Sequence, residues 1–230
     1  MAIRLVVFDM AGTTVHDDNG VNRSLRGSLE AAGLTVKPAA VNAVMGLPKR
    51  EALRRLIAPS PLARELLPRI EAIHADFAAR MRSHYASDPS VREVSGTSAA
   101  FRWLRQAGIA VAVNTGFSRD IAQIILDRLG WEREGLINAS VTSDEVKRGR
   151  PHPDMIRYLM RRLGIANAKE IAKVGDTPVD LEEGHQAGCG LVIGVTQGTH
   201  TREQLAAFPH THLIESVAKL PTLLESINPV

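Results

Sequence analysis

The amino-acid sequence predicts an α/β protein: a doubly wound parallel sheet, interrupted near its start by a helical insert. Three observations carry this reading. Short apolar runs recur and end in polar or glycine-bearing loops, helix-periodic segments between them stop at glycine, and one long early stretch holds helical periodicity only. Ile3, Leu5, Val6, Val7 and Phe8 lie within residues 3–10 and run into Asp9, the form of a buried parallel strand. Residues 109–114, 139–142 and 170–175 repeat that form. The intervening segments, about 96–107, 118–129 and 153–163, stop at Gly108, Gly130 and Gly164, the residue type expected just past a helix end. Strand alternating with helix builds a parallel sheet. In such sheets chemistry gathers where loops leave the carboxyl ends of the strands.

Residues 17–90 break the rhythm. Ser24–Ala32, Pro38–Val44, Lys49–Ile57 and Pro61–Tyr85 are all helix-periodic, and Pro68 should break the last of them near Leu67. The expected organisation is a core of residues 1–16 and 91–230, with 17–90 as a helical cap over the sheet's carboxyl edge.

At 230 residues the chain can form one sizeable domain, or a core with a smaller insert. Its 44% hydrophobic and 23% charged residues are ordinary for a soluble globular protein. The net charge of +3 comes without a five-residue basic run, so a pocket for an anionic small molecule fits better than a nucleic-acid partner. The one cysteine, Cys189, excludes an intramolecular disulfide and reads as a small buried residue in a reducing compartment. No signal-peptide layout opens the chain, and no apolar stretch approaches the roughly 18 residues of a membrane helix, so the expected location is cytoplasmic.

Four short motifs carry chemistry. Asp9-Met10-Ala11-Gly12-Thr13-Thr14 follows the first strand, where a carboxylate stands at the sheet edge with backbone N–H groups behind it. Such a carboxylate can attack phosphorus and form an aspartyl phosphate, although an ordinary Asp-Gly turn has the same letters. Thr115-Gly116, in Val113–Ser118, offers a hydroxyl and a glycine N–H to a phosphate oxygen; a plain helix cap by Ser118 explains it equally well. Arg150, in Lys147–Pro153, could balance a transferring phosphoryl group or belong to a basic surface loop. Asp176 and Asp180, in Val174–Asp180, are two carboxylates four apart at the start of a helix, a hard oxygen set suited to Mg²⁺. An anionic nucleophile approaching an anionic phosphoryl group needs both a divalent cation and a fixed positive charge. All four parts follow predicted strands, in that order.

Together these motifs resemble those of the haloacid dehalogenase superfamily over the whole chain, which implies a Rossmann-like core with an inserted cap. The resemblance makes Asp9 the nucleophile and gives Mg²⁺ the Asp9 carboxylate, the Ala11 carbonyl, Asp176 and, directly or through water, Asp180. Gly12, Thr115, Gly116 and Arg150 would bind the phosphoryl group.

Two departures narrow the reaction. Phosphate-ester hydrolases of this superfamily carry a second Asp where this chain has Ala11. The missing general acid is worth roughly 10²–10⁴ in rate, or about 3–5 kcal/mol of barrier. Arg150 also stands where most members have Lys. Both features resemble the phosphonatase (phosphonoacetaldehyde hydrolase) branch, which cleaves a C–P bond through a Schiff base on a cap lysine. Met45-Gly46-Leu47-Pro48-Lys49 resembles the Met-Gly-x-x-Lys segment of that branch, making Lys49 the imine-forming residue and Met45 and Gly46 substrate contacts. Imine formation requires the neutral amine. The branch's histidine three residues beyond that lysine is Ala52 here, which points to a phosphonatase-like sister group. The resemblance also implies a homodimer through the cap.

Other residues read as structural. His16 is an exposed loop histidine that could take a proton role. His200, His210 and His212 lack metal-site spacing, and Phe101 and Trp103 belong to the core or an interface.

Overall fold

The computed structural model describes residues 2–16 and 18–227; Met1, Asp17, where the expected insert begins, and residues 228–230 lie outside the described residues. Six parallel strands form one sheet, β1 (Leu5–Phe8), β2 (Ala110–Thr115), β3 (Ala139–Thr142), β4 (Ile171–Gly175), β5 (Leu191–Val195) and β6 (His212–Ile214), in the order β3-β2-β1-β4-β5-β6. The four expected strands are all present. β5 and β6 add to them along the far edge, with Gly175 opposite Gly194 and Ile193 opposite His212.

β1 shows why the sheet is covered on both faces. Its four residues are fully buried, yet Val6 and Phe8 join one apolar cluster while Leu5 and Val7 join another. Alternate side chains of a strand point to opposite faces, so an unbroken apolar run requires helices on both sides. On the first side Phe8 stacks on Phe101 of α6 (Thr97–Gln106), ring centroids 4.9 Å apart, and Phe101 meets Trp131 edge-on at 5.2 Å. On the second, Met155, Ile156 and Leu159 of α8 (Asp154–Leu163) and Leu181 of α9 (Pro178–Ala187) close the layer.

Between β1 and α6 the chain forms helices only, among the described residues: α1 (Gly20–Ala31), α2 (Pro38–Asn42), α3 (Lys49–Ile57), α4 (Ala63–Leu66) and α5 (Ile70–Ser87). The break expected at Pro68 is a short 3₁₀ turn, Leu67–Arg69, because proline cannot donate to the helix ladder. The two ends of this stretch run side by side: the His16 N–H donates to the Arg92 carbonyl at 2.9 Å and the Val94 N–H to the Thr14 carbonyl at 2.9 Å. Past α6, α7 (Arg119–Leu129) follows β2, while α10 (Arg202–Ala206) and α11 (Leu220–Ile227) complete the chain. No helix among the described residues is long and apolar enough to cross a membrane.

The strand order sets the location of the site. The chain winds outward from β1 through β2 to β3, then returns to the other side of β1 with β4. The crevice at the carboxyl ends of β1 and β4 is the topological switch point, where ligands bind in sheets of this kind. Asp9 follows β1 and Asp176 follows β4.

Candidate active site

The Asp9 N–H continues the sheet by donating to the Val174 carbonyl at 2.9 Å, which fixes its backbone beside β4. The chain then turns sharply through Gly12, at φ +89°, where a Cβ would lie 2.4 Å from Asp176 Oδ2. Only glycine allows the turn to pass so close to that carboxylate. Asp176 is gripped in turn by the Thr13 hydroxyl, donating to Oδ1 at 2.9 Å, and by the Thr199 N–H, donating to Oδ2 at 2.7 Å. At the start of α9 the Thr177 N–H donates to Asp180 Oδ2 at 3.2 Å in a reciprocal capping box, and the Thr177 hydroxyl donates to the same oxygen at 2.6 Å, which together orient Asp180.

Asp9, Asp176 and Asp180 are buried and each offers a carboxylate oxygen within 4.8 Å of the others. Burial, followed by the charges of Asp9 and Asp180, pushes the Asp176 carboxyl up to about 7. Burial also raises Asp9 against the opposing pull of Arg150. For Asp180 burial acts in the same direction, but Arg150 and Lys173 outweigh it and hold the carboxyl below its ordinary value.

Arg150 organises the cluster. Its guanidinium is fully buried: Nη1 lies 2.6 Å from Asp9 Oδ1 and 3.0 Å from Asp180 Oδ1, Nε donates to Glu183 Oε2 at 3.2 Å, and Nη2 donates to the Asn114 carbonyl and side-chain oxygens. Lys173 Nζ sits below it, 3.0 Å from Asp180 Oδ1, 3.4 Å from Glu183 Oε2 and 2.7 Å from Asn114 Oδ1. Four buried carboxylates, those of Asp9, Asp176, Asp180 and Glu183, thus face two buried cations. The clustered hard oxygen donors of Asp9, Asp176 and Asp180 suit Mg²⁺. These residues fit such an ion.

The sequence-predicted residues converge. Asp9, Ala11, Met45, Gly46, Lys49, Thr115, Gly116 and Arg150 line one small cavity of about 20 Å³, joined by Val21, Phe117 and Thr177. Gly12 lines the neighbouring cavity instead, while Asp176 and Asp180 join Asp9 in the carboxylate cluster. Lys49 begins α3, is only 6% exposed, and holds Nζ 5.2 Å from the centre of the Phe117 ring. The turn that carries it is pressed on the sheet loops: a Cβ on Gly46 would meet Thr177 Oγ1 at 2.4 Å, one on Gly116 the Leu47 carbonyl at 2.8 Å, and one on Gly149 Pro48 at 2.6 Å.

His16 lies in a neighbouring polar cavity of about 200 Å³ with Gly12, Asn22, Asn42 and Gln197. Against the expectation of an exposed loop residue it is half-buried, with Nδ1 sealed from solvent. Ala52 is fully buried and lines neither cavity around Lys49. His200, His210 and His212 take no part in the carboxylate cluster.

Sequence reasoning missed Lys173, Glu183 and the side chain of Asn114. One signal was available: a lysine inside the apolar run Ile171–Gly175, three residues before Asp176, is a charge where a buried strand admits one only with a partner.

Comparison with known proteins follows from this geometry. The model of the haloacid dehalogenase-like hydrolases matches residues 3–188. A phosphonoacetaldehyde hydrolase of Bacillus cereus (strain B4264) is 28% identical over 233 residues, covering 94% of this chain and 86% of its own. A protein named "Probable phosphatase IndB", of Dickeya dadantii (strain 3937), is 30% identical over 218 residues, covering 94% and 91%. Among solved structures, a phosphonoacetaldehyde hydrolase-like protein of Oleispira antarctica superposes with a TM-score of 0.88 at 24% identity, covering 100% of this chain and 94% of its own, a likeness of fold.

Proposed function

This chain belongs to the haloacid dehalogenase-like hydrolases, and from that premise we propose that it is a Mg²⁺-dependent phosphonatase-like enzyme cleaving the C–P bond of phosphonoacetaldehyde or a related phosphono-aldehyde. The observation that carries this reading is that Lys49 and Asp9 share one small cavity whose wall has Ala11 where a general acid would stand. The relatives named phosphonoacetaldehyde hydrolase support it.

In the proposed reaction the Lys49 amine adds to the substrate aldehyde and expels water, leaving a protonated imine. An Asp9 carboxylate oxygen then attacks phosphorus in line with the departing carbon. The C–P electron pair moves into the imine and the carbon leaves as an enamine, which needs no acid at the position of Ala11. Arg150, fixed by Glu183 and Asn114, holds positive charge beside the attacking oxygen without reorganising. Asp9, the Ala11 carbonyl, Asp176 and Asp180 would hold a divalent ion, which would neutralise charge on the phosphoryl group. Thr115 and Gly116 bind the phosphoryl oxygens from the carboxyl end of the neighbouring strand β2. The enamine carbon takes a proton to return to the imine, and two waters then hydrolyse the aspartyl phosphate and the imine.

On this reading residues 17–90 are a cap over a core of 1–16 and 91–230. The tight seating of Met45–Lys49 on Gly116, Gly149 and Thr177 is its closed position, from which it opens to admit substrate.

A second reading, a phosphomonoesterase for a small phosphorylated metabolite, draws on the phosphatase name of the Dickeya relative. Borohydride separates the two. Substrate-dependent inactivation with mass added at Lys49 is the expected result; absence of labelling, with full activity retained in Lys49→Arg, overturns the imine.

A further inference from the structure

We propose that Gln197, on the loop after β5, is a positioning residue for the metal ligand Asp176, closing a hydrogen-bonded ring that orients the carboxylate toward a cation. This rests on the reading of Asp9, Asp176 and Asp180 as the Mg²⁺ site, and it assigns a role to a loop outside the four motifs.

Asp176 follows β4, which lies between β1 and β5 in the sheet. Neighbouring strands stand about 4.8 Å apart, so the segments that leave β1 and β5 start about 10 Å from one another, with the end of β4 between them. Both lean over it. The Thr13 hydroxyl, from the turn after β1, donates to Asp176 Oδ1 at 2.9 Å, and the Thr199 N–H, from the loop after β5, donates to Oδ2 at 2.7 Å. Glycine allows the approach from either side: a Cβ would stand 2.4 Å from Oδ2 on Gly12 and 2.3 Å from it on Gly198. The Gln197 side chain then ties the two segments to each other, Nε2 donating to the Thr13 carbonyl at 2.8 Å. The ring runs from Asp176 through Thr13 and Gln197 to Thr199, and back to Asp176.

A carboxylate oxygen has two acceptor positions, and the ring fills one on each oxygen of Asp176, leaving the others for a cation. Mg²⁺ demands short, well-directed oxygen contacts, so a carboxylate held in one plane binds it better than one free to rotate. Groups that orient a metal ligand in this way typically account for roughly 10–100-fold in affinity. Glutamine suits the link. Its chain is long enough to cross the end of β4, its amide donates to a carbonyl, and it brings no charge. A lysine would donate as well but repel the ion. Gln197 is half-buried and shares with Gly12, Gly198 and Thr199 the lining of the polar cavity of about 200 Å³, so losing its amide opens no void in the apolar core.

The test is a calorimetric titration of Mg²⁺ into the metal-stripped full-length protein, with no substrate present. Gln197→Met keeps the length of the side chain and removes the donor. Its Kd for Mg²⁺ should rise about tenfold, the low end of the range because Gln197 acts through Thr13. Gly198→Ala, whose methyl meets Asp176 Oδ2 directly, should weaken binding at least as much. Gln123→Met, the same change on α7, should bind as the wild type does. Thermal melts without metal check that each variant is folded at the temperature of the titration. Binding as tight in Gln197→Met as in the wild type, with Gly198→Ala weakened, overturns this inference and leaves the Mg²⁺ site standing. Binding undiminished in Asp176→Asn, or no binding by the wild type, overturns the site itself.

Discussion

Arg150 Nη1 lies 2.6 Å from Asp9 Oδ1 and 3.0 Å from Asp180 Oδ1, so one nitrogen joins the proposed nucleophile to the carboxylate at the start of α9. The remaining nitrogens are fixed by Glu183 and Asn114. A lysine offers one point charge and cannot reproduce this fork. Arg150→Lys should therefore lower kcat/KM by about 10²-fold, the scale of one preorganised charge-stabilising donor, with KM for the phosphonate changed less than kcat. Steady-state phosphate release checks this.

Glu183 is fully buried and lies between Arg150 and Lys173, at 3.2 and 3.4 Å. Glu183→Gln keeps the shape and removes the charge that Arg150 Nε and Lys173 Nζ both contact. Breaking a buried pair on one side costs about 3–5 kcal/mol. Denaturant unfolding of the variant should show a loss of that order, against no measurable loss for Glu65→Gln on the exposed face of α4.

Asp176 gives the pH dependence. Its folded pKa, about 7, exceeds the unfolded value, so its proton stabilises the metal-free fold fully below about pH 4, and that contribution is lost as pH rises through 7. The ion must displace the same proton. Saturating Mg²⁺ should raise Tm more at pH 8 than at pH 6; a larger shift at pH 6 would contradict this assignment.

Ala11 lines the Asp9 cavity. Ala11→Asp should raise hydrolysis of p-nitrophenyl phosphate, by up to about 10²-fold if the new carboxyl protonates the leaving oxygen. It should slow cleavage of phosphonoacetaldehyde, whose carbon leaving group has no use for that acid. Parallel assays of both substrates decide it.

Cys189 is 6% exposed, and burial pushes its thiol up to about 12. Native protein at pH 8 should resist iodoacetamide, becoming labelled only on unfolding.

The contrast between legible and hidden features has physical causes. The strands of the sheet's centre were readable because burial on both faces demands unbroken apolar runs, as in Leu5–Phe8. Leu191–Val195 is equally apolar but follows α9 through Gly188-Cys189-Gly190 without a chemical motif to mark its end, and β6 is three residues containing His212. Asp9 and Asp176 were legible because each directly follows a strand, Thr115 because it closes one, and Arg150 because it sits in a Gly- and Pro-flanked loop beyond β3. Lys173 and Glu183 were not, because a buried ion pair shows itself only when strand and helix are placed together. The closeness of Gly46 to Thr177 is likewise a tertiary fact that local pattern cannot contain.

The backbone pairing of His16 with Arg92 and of Val94 with Thr14 gives the α1–α5 segment a single doorway into the sheet. A chain built this way separates two evolutionary problems. The sheet can retain one set of phosphorus-handling groups while a different helical segment, spliced in at the same doorway, determines which molecule those groups act upon.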